Sequence, residues 1–313
     1  MSASPSGQLS MSATDWLQLF LLSLLWGGAF FFGKVAVAEI PPLTLAFGRV
    51  AIAAAMLAVF VPIGGPPLSW HSRSSYTVLG LLQNVIPFGL IFWGQTHIPS
   101  GLTSILIAAT PLFTVVVAHV ATTDDKLTLA RLMGLVVGFF GVVIVIGPDL
   151  FHELGTSLAA EVATLLAALS YAVAGVYGRR FRNRPPRAVA TGQLIASTII
   201  LAPAAVLIDR PWNLAVPSSA ALSSLLALAA LSTALAYLIY FRVLGRAGAT
   251  NVLLVTFLMP VSAMLLGVLM LDEDVTPRQF SGLAAIAVGL AAIDGRIAKY
   301  LARSVRRYRG DRS

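Results

Sequence analysis

The chain has 313 residues, of which 58% are hydrophobic and only 11% charged; its net charge is +8 and it has no cysteine. A soluble domain carries about 25% charged residues, so a surface that faces water throughout is excluded, as are disulfides and sulfur-ligated zinc sites. The basic residues sit in a few loops and in the C-terminal stretch, which points to a lipid bilayer and not to nucleic acid as the partner.

Residues 1–13 carry no Lys or Arg, whereas a signal peptide opens on a positive segment. They read as a short tail ahead of a retained span. A span needs about 20 mainly apolar residues. Ten such runs follow, near 15–35, 43–62, 75–97, 100–121, 127–147, 156–178, 187–208, 219–241, 248–271 and 277–296. Pro41-Pro42, Gly64-Gly65-Pro66-Pro67, Gly147-Pro148 and Pro185-Pro186 punctuate them. The short link His97-Ile98-Pro99-Ser100 predicts a tight helical hairpin between the third and fourth runs. Residues 298–313 form a basic tail suited to anionic headgroups.

With the N-terminus inside, the inner segments hold 17 of the basic residues, including Arg179, Arg180, Arg182, Arg184 and Arg187. The outer segments hold three, Lys34, Arg210 and Arg278. The excess of Lys and Arg on the cytoplasmic side therefore predicts both termini in the cytoplasm and an even number of spans. The chain also repeats itself. Pro41-Pro42 and Gly48 recur as Pro185-Pro186 and Gly192 at an offset of 144. Phe92, Pro111 and Asp125 recur as Phe241, Pro260 and Asp274 at 149, and Gly134 and Gly141 recur as Gly282 and Gly289 at 148. Two halves, 14–148 and 149–297, with five spans each must be inverted relative to one another. Inverted repeats are a common construction of secondary transporters, with the solute site near the midplane. The expected fold is an all-α integral membrane protein of ten transmembrane helices in two inverted five-helix repeats, multi-pass in the cell (inner) membrane.

Trp26-Gly27-Gly28-Ala29-Phe30, Ala108-Ala109-Thr110-Pro111-Leu112-Phe113 and Leu258-Met259-Pro260-Val261 resemble the EamA type of the drug/metabolite transporter superfamily. Leu271-Asp272-Glu273-Asp274 is similar to that family's Leu-Gly-Glu element, with Asp where Gly is usual. The resemblance implies ten helices, internal termini and a central cavity lined by spans 1, 3, 4, 6, 8 and 9. It also implies export of amino acids, drugs and metabolites; some members favour aromatic and other neutral amino acids.

Polar groups inside hydrocarbon mark function or helix–helix contact. Gln83-Asn84 in span three and Ser232-Thr233 in span eight are repeat partners at an offset of 149, and read either as two walls of a solute site or as helix–helix glue. Trp26, Tyr171 and Tyr237 lie deep enough to stack on an apolar solute and to hydrogen-bond it. Pro111 and Pro260 occupy matched places, where a lost backbone hydrogen bond bends a helix; they are the candidate hinges. Arg49 and Glu161 lie at similar depth in the outer half and read first as a structural ion pair, with Glu161 as a proton site the alternative. Gly134-x-x-x-Gly138 offers a small-residue face for close packing within the chain or between subunits, which leaves a monomer or a homodimer open. Gly28 to Lys34 nearly spells a phosphate loop, but Val35 stands where Ser or Thr is needed, and the histidines are scattered. No metal, cofactor or catalytic residue is expected. The sequence points to a carrier that exports small neutral metabolites by alternating access, amino acids including aromatic ones first. A second class, an intramembrane lipid-modifying enzyme, rests on the acidic cluster Asp272-Glu273-Asp274.

Overall fold

The computed structural model describes residues 12–60, 70–123, 127–147, 156–181, 183–247 and 254–294. Both expected tails, apart from residues 12 and 13, and Asp125, the repeat partner of Asp274, fall outside these ranges. The described residues fold into helices without a strand. In chain order these are α1 (Ala13–Val37), α2 (Pro42–Phe60) and α3 (Trp70–Gly80, Leu81–Val85 and Ile86–Gln95). Then come α4 (Ser100–Ile107 and Thr110–Ala121), α5 (Leu129–Ile146), α6 (Thr156–Gly178) and α7 (Pro186–Ala204 with Ala205–Asp209). The last are α8 (Ser219–Ala229, Ala230–Leu235 and Ala236–Ala247), α9 (Leu254–Leu271) and α10 (Pro277–Asp294).

Among the described residues, eight helices, α1 to α8, are long and apolar enough to cross a membrane; Leu258–Leu271 and Pro277–Ile293 are shorter apolar stretches. The chain is a multi-pass membrane protein. Large apolar side chains face outward, Ile199 at 68% and Leu269 at 73% exposure among them, as lipid in place of water requires. Residues 248–253, assigned by the sequence to the ninth span, lie outside the described residues.

The packing has a regular form. α1 packs on α8 and α9, and α6 packs on α3 and α4. α2 packs on α7 and α8, α7 packs also on α3, and α5 packs on α10. Exchanging the first five helices for the last five reproduces the same pairs. Between lipid-facing helices there is little hydrophobic drive, so small residues that let backbones touch decide where they meet. Gly27 leaves room for Ser262 of α9, whose hydroxyl donates to Ser23 O at 2.8 Å. Gly134, Gly138 and Gly141 of α5 do not wait for a second subunit. Gly134 and Gly141 lie on the backbone of α10 at Gly289 and Gly282, and Gly138 receives Leu112.

A methyl group at Gly289 would stand 2.6 Å from Gly138 N and 2.7 Å from Gly138 Cα, and backbone atoms cannot turn away. Gly289→Ala is expected to cost about 1–3 kcal/mol and to lower the melting temperature in detergent. Gly175→Ala, with nothing within 4 Å of the new methyl group, should raise it, because alanine favours a helix by about 0.5–1 kcal/mol over glycine.

Candidate functional site

Two helices depart from regular geometry at the same place in each half. In α3 the turn Leu81–Val85 is π-helical, and Ile86 N–H donates to Leu81 O. In α8 the turn Ala230–Leu235 is π-helical, and Ala236 N–H donates to Leu231 O. The turns begin 149 residues apart, the offset that relates Gln83-Asn84 to Ser232-Thr233. A π-turn is one residue too many for its helix, and it frees a carbonyl. In hydrocarbon that carbonyl needs a partner within the protein. Ser170 of α6 donates to Leu82 O at 2.8 Å, and Thr233 donates to Leu228 O at 2.8 Å.

These turns border a cavity of about 820 Å³. Trp26, Gln83, Pro111, Tyr171, Ser232, Thr233 and Tyr237 all line it. Asn84 and Pro260 do not. Asn84 is fully buried and donates from Nδ2 to Ser197 Oγ of α7 at 2.9 Å, so it joins helices. Pro260 lies inside a continuous α9. α4, by contrast, breaks before Pro111: Ala109 N–H reaches Leu106 O at 3.2 Å and Leu112 N–H reaches Ala109 O at 2.9 Å, both three residues back. The matched prolines thus sit in unlike surroundings.

The cavity also takes in Phe30, Phe88, Phe92, Tyr240, Thr110, Thr114 and Thr256, and it reaches Arg49. Trp26 and Tyr240 lean together with ring centroids 5.5 Å apart. Arg49 is 8% exposed. Its Nε donates to Thr233 Oγ1 at 3.0 Å, and its Cζ lies 4.0 Å from the Phe88 centroid. These contacts replace the expected pair with Glu161. The sequence places Arg49 inside a span, and the structure agrees, with Thr233 and Phe88 as its neighbours in place of Glu161. The signal was present, because a charge held in hydrocarbon is a functional hypothesis by default.

The cavity extends toward one end of the bundle. Arg131 near the start of α5, Thr256 near the start of α9 and Ile293 near the end of α10 line it there. These helix ends share a face with the N-terminus of α1. The opposite face is fastened by polar contacts. Lys34 Nζ donates to Gln95 O (2.6 Å) and Ile98 O (2.9 Å), and Gln95 Nε2 donates to Phe30 O (2.8 Å). Glu273 accepts from Ser100 N–H (2.7 Å), Ser100 Oγ (2.9 Å) and Gly101 N–H (3.1 Å) at the N-terminus of α4. Asp209 accepts from Thr44 N–H (2.7 Å) and Oγ1 (2.8 Å) in α2. Glu39 accepts from Ser218 N–H and Oγ, both at 2.6 Å, ahead of α8. Each carboxylate thus caps a helix other than its own, where orphan N–H groups favour negative charge. Asp272 stands at φ 52° and Glu273 N–H closes back on Gly267 O at 3.1 Å. That left-handed helix end explains why a relative would carry glycine there.

A model of the EamA-like transporter family matches residues 16–147 and again 158–293. The chain belongs to the EamA-like transporter family. An EamA chain is a membrane transporter of the drug/metabolite type, and its relatives agree. It is 28% identical to "Uncharacterized transporter YoaV" of Bacillus subtilis over 88% of this chain and 94% of the relative. It is 27% identical to a "Probable amino-acid metabolite efflux pump" of Escherichia coli over 90% and 94%. A crystal structure with 19% identity superposes with a TM-score of 0.65 over 94% of this EamA chain and 99% of the other, which supports the fold alone. Among the described residues no group of three or more His, Asp or Glu could hold a metal, and Glu273 of the acidic cluster is taken up by α4.

Two predictions follow from the closed face. Glu273→Ala leaves two N–H groups of α4 uncapped, at a cost of about 1–2 kcal/mol, and should loosen that face. In an Ala29→Cys background, possible because the chain has no other cysteine, a membrane-impermeant maleimide applied from the Lys34 side should label faster. Equal labelling rates would show that the carboxylate does not hold this face. Separately, the two hydrogen bonds from Ser218 hold the Glu39 carboxyl below its ordinary range. Such a group stabilises the fold fully above its unfolded pKa, and that stabilisation is lost as the pH falls through the depressed value. The melting-temperature gap between wild type and Glu39→Gln should therefore be present at neutral pH and shrink on acidification below the usual carboxylate range.

Proposed function

We propose that this chain is a secondary carrier that exports small neutral amino acids, aromatic ones included, by alternating access between two inverted five-helix repeats, 14–148 and 149–297. The observation that carries this reading is the cavity, which reaches the helix ends of one face while the other face is fastened, with aromatic rings, hydroxyls and one amide on its walls. Its volume, about 820 Å³, lies within the range of small-molecule sites, roughly 300–1,000 Å³. Trp26, Gln83, Tyr171, Ser232, Thr233 and Tyr237 are the proposed solute contacts, and Asn84 supports them through Ser197. Pro111 and Pro260 are the proposed hinges; the break in α4 supports the first.

The packing pairs that survive exchange of the halves support ten membrane-spanning helices. The distribution of Lys and Arg supports cytoplasmic termini in the cell inner membrane, which turns the Arg131 end of the cavity toward the cytoplasm. A cavity that reaches the cytoplasmic face and is fastened outside suits the state in which an exporter loads. The name of the Escherichia coli relative supports an amino-acid metabolite as cargo. With no nucleotide site expected, the driving force is the solute gradient or a coupled ion.

Reconstituted protein should exchange radiolabelled phenylalanine, leucine or threonine by counterflow, with saturation and mutual competition. Should no solute of a broad amino-acid panel move, even under an imposed proton gradient, the carrier reading is wrong.

A further inference from the structure

We propose that Arg49 receives the carboxylate of the transported solute, so that the carrier selects for one free carboxylate beside an apolar group. This rests on the amino-acid reading above and assigns a residue to its recognition step. A guanidinium in the protein interior is costly unless its charge and its donors are met. Arg49 is nearly buried, yet the contacts it makes are one neutral hydroxyl and the faces of Phe88 and Phe92. Among the described residues no carboxylate hydrogen-bonds to it. Thr233 fixes the group: its hydroxyl gives its proton to Leu228 O and accepts from Arg49 Nε. Phe88 lies over the guanidinium at 4.0 Å, where cation–π attraction holds it without neutralising it.

Nε is thereby used and the plane of the guanidinium is set, while the two Nη groups remain for a ligand at the cavity wall. That planar fork matches a carboxylate, which takes two parallel N–H···O bonds. Beside it, Ser232 Oγ is fully buried and has no hydrogen-bond partner. Ser232 also lines the cavity, one residue before Thr233 on α8. One fixed cation at this depth suits one negative charge. A phosphate ester, with close to two, would leave charge unmatched in a low dielectric.

The test is counterflow of labelled leucine and phenylalanine in proteoliposomes, competed by the free acids, their amides and their decarboxylated amines. Wild type should prefer the acids to amides and amines by tenfold or more. Arg49→Met should lose acid transport by a hundredfold or more and retain the amides, and Arg49→Lys should fall between, keeping charge but not the fork. Thr233→Val, which releases Nε, should lower the acid-to-amide transport ratio several-fold. Acids and amides competing equally in wild type would overturn the assignment of Arg49 and leave the carrier standing, and this arm needs no variant to fold. An unchanged acid-to-amide ratio in a folded Arg49→Met protein would overturn it too. Wild-type protein that moves nothing in the panel overturns both readings.

Discussion

In hydrocarbon a backbone N–H or C=O without a partner costs several kcal/mol, and the irregular parts of this chain follow from that constraint. At the two π-turns that widen α3 and α8, hydroxyls meet backbone carbonyls: Ser170 donates to Leu82 O inside the first, and Thr233 donates to Leu228 O just ahead of the second. Three helix starts at one face are closed by carboxylates from other helices, Glu273, Asp209 and Glu39. The same requirement therefore shapes the cavity wall and fastens the far face. Satisfying a helix end with a side chain from a neighbour turns a local need into a tertiary contact, and breaking that contact has a bounded cost.

The two faces differ in kind. At the closed face Lys34 meets neutral carbonyls and the carboxylates meet helix starts, so the chain's polar atoms are spent on one another. At the other end Arg131 of α5, Thr256 of α9 and Ile293 of α10 line the cavity. The tight seams, α1 on α9 and α5 on α10, run through Gly27 and through Gly134, Gly141, Gly282 and Gly289, where an added methyl group would force a shift. Motion has to arise elsewhere, and the broken α4 supplies a place where backbone hydrogen bonds are already reduced.

Much of this was legible in the sequence, because hydropathy and repeat offsets report on the same lipid constraint that the fold obeys. The offset of 149 paired Gln83-Asn84 with Ser232-Thr233, and the structure puts π-turns at both. Neighbouring residues on a widened helix still point in different directions, so Gln83 meets the cavity and Asn84 meets Ser197. No periodicity argument separates them. The offset also paired Pro111 with Pro260, yet only the first follows a broken helix, since the residues before each proline bond differently. Arg49 was assigned to Glu161 by depth alone. Depth says nothing about azimuth, and azimuth is what turns Arg49 toward Thr233 and Phe88.

The π-turn of α8 has one further consequence. A regular helix advances 100° per residue, so an added residue would swing everything after it around the axis. Here the extra residue is absorbed within Ala230–Leu235, and Tyr237 and Tyr240 keep the azimuth they would have on a helix one residue shorter. The turn thus acts as a phase buffer: it tolerates a single-residue length change in the midst of the bundle, separating the register of the aromatic wall from the spacing of the residues that precede it.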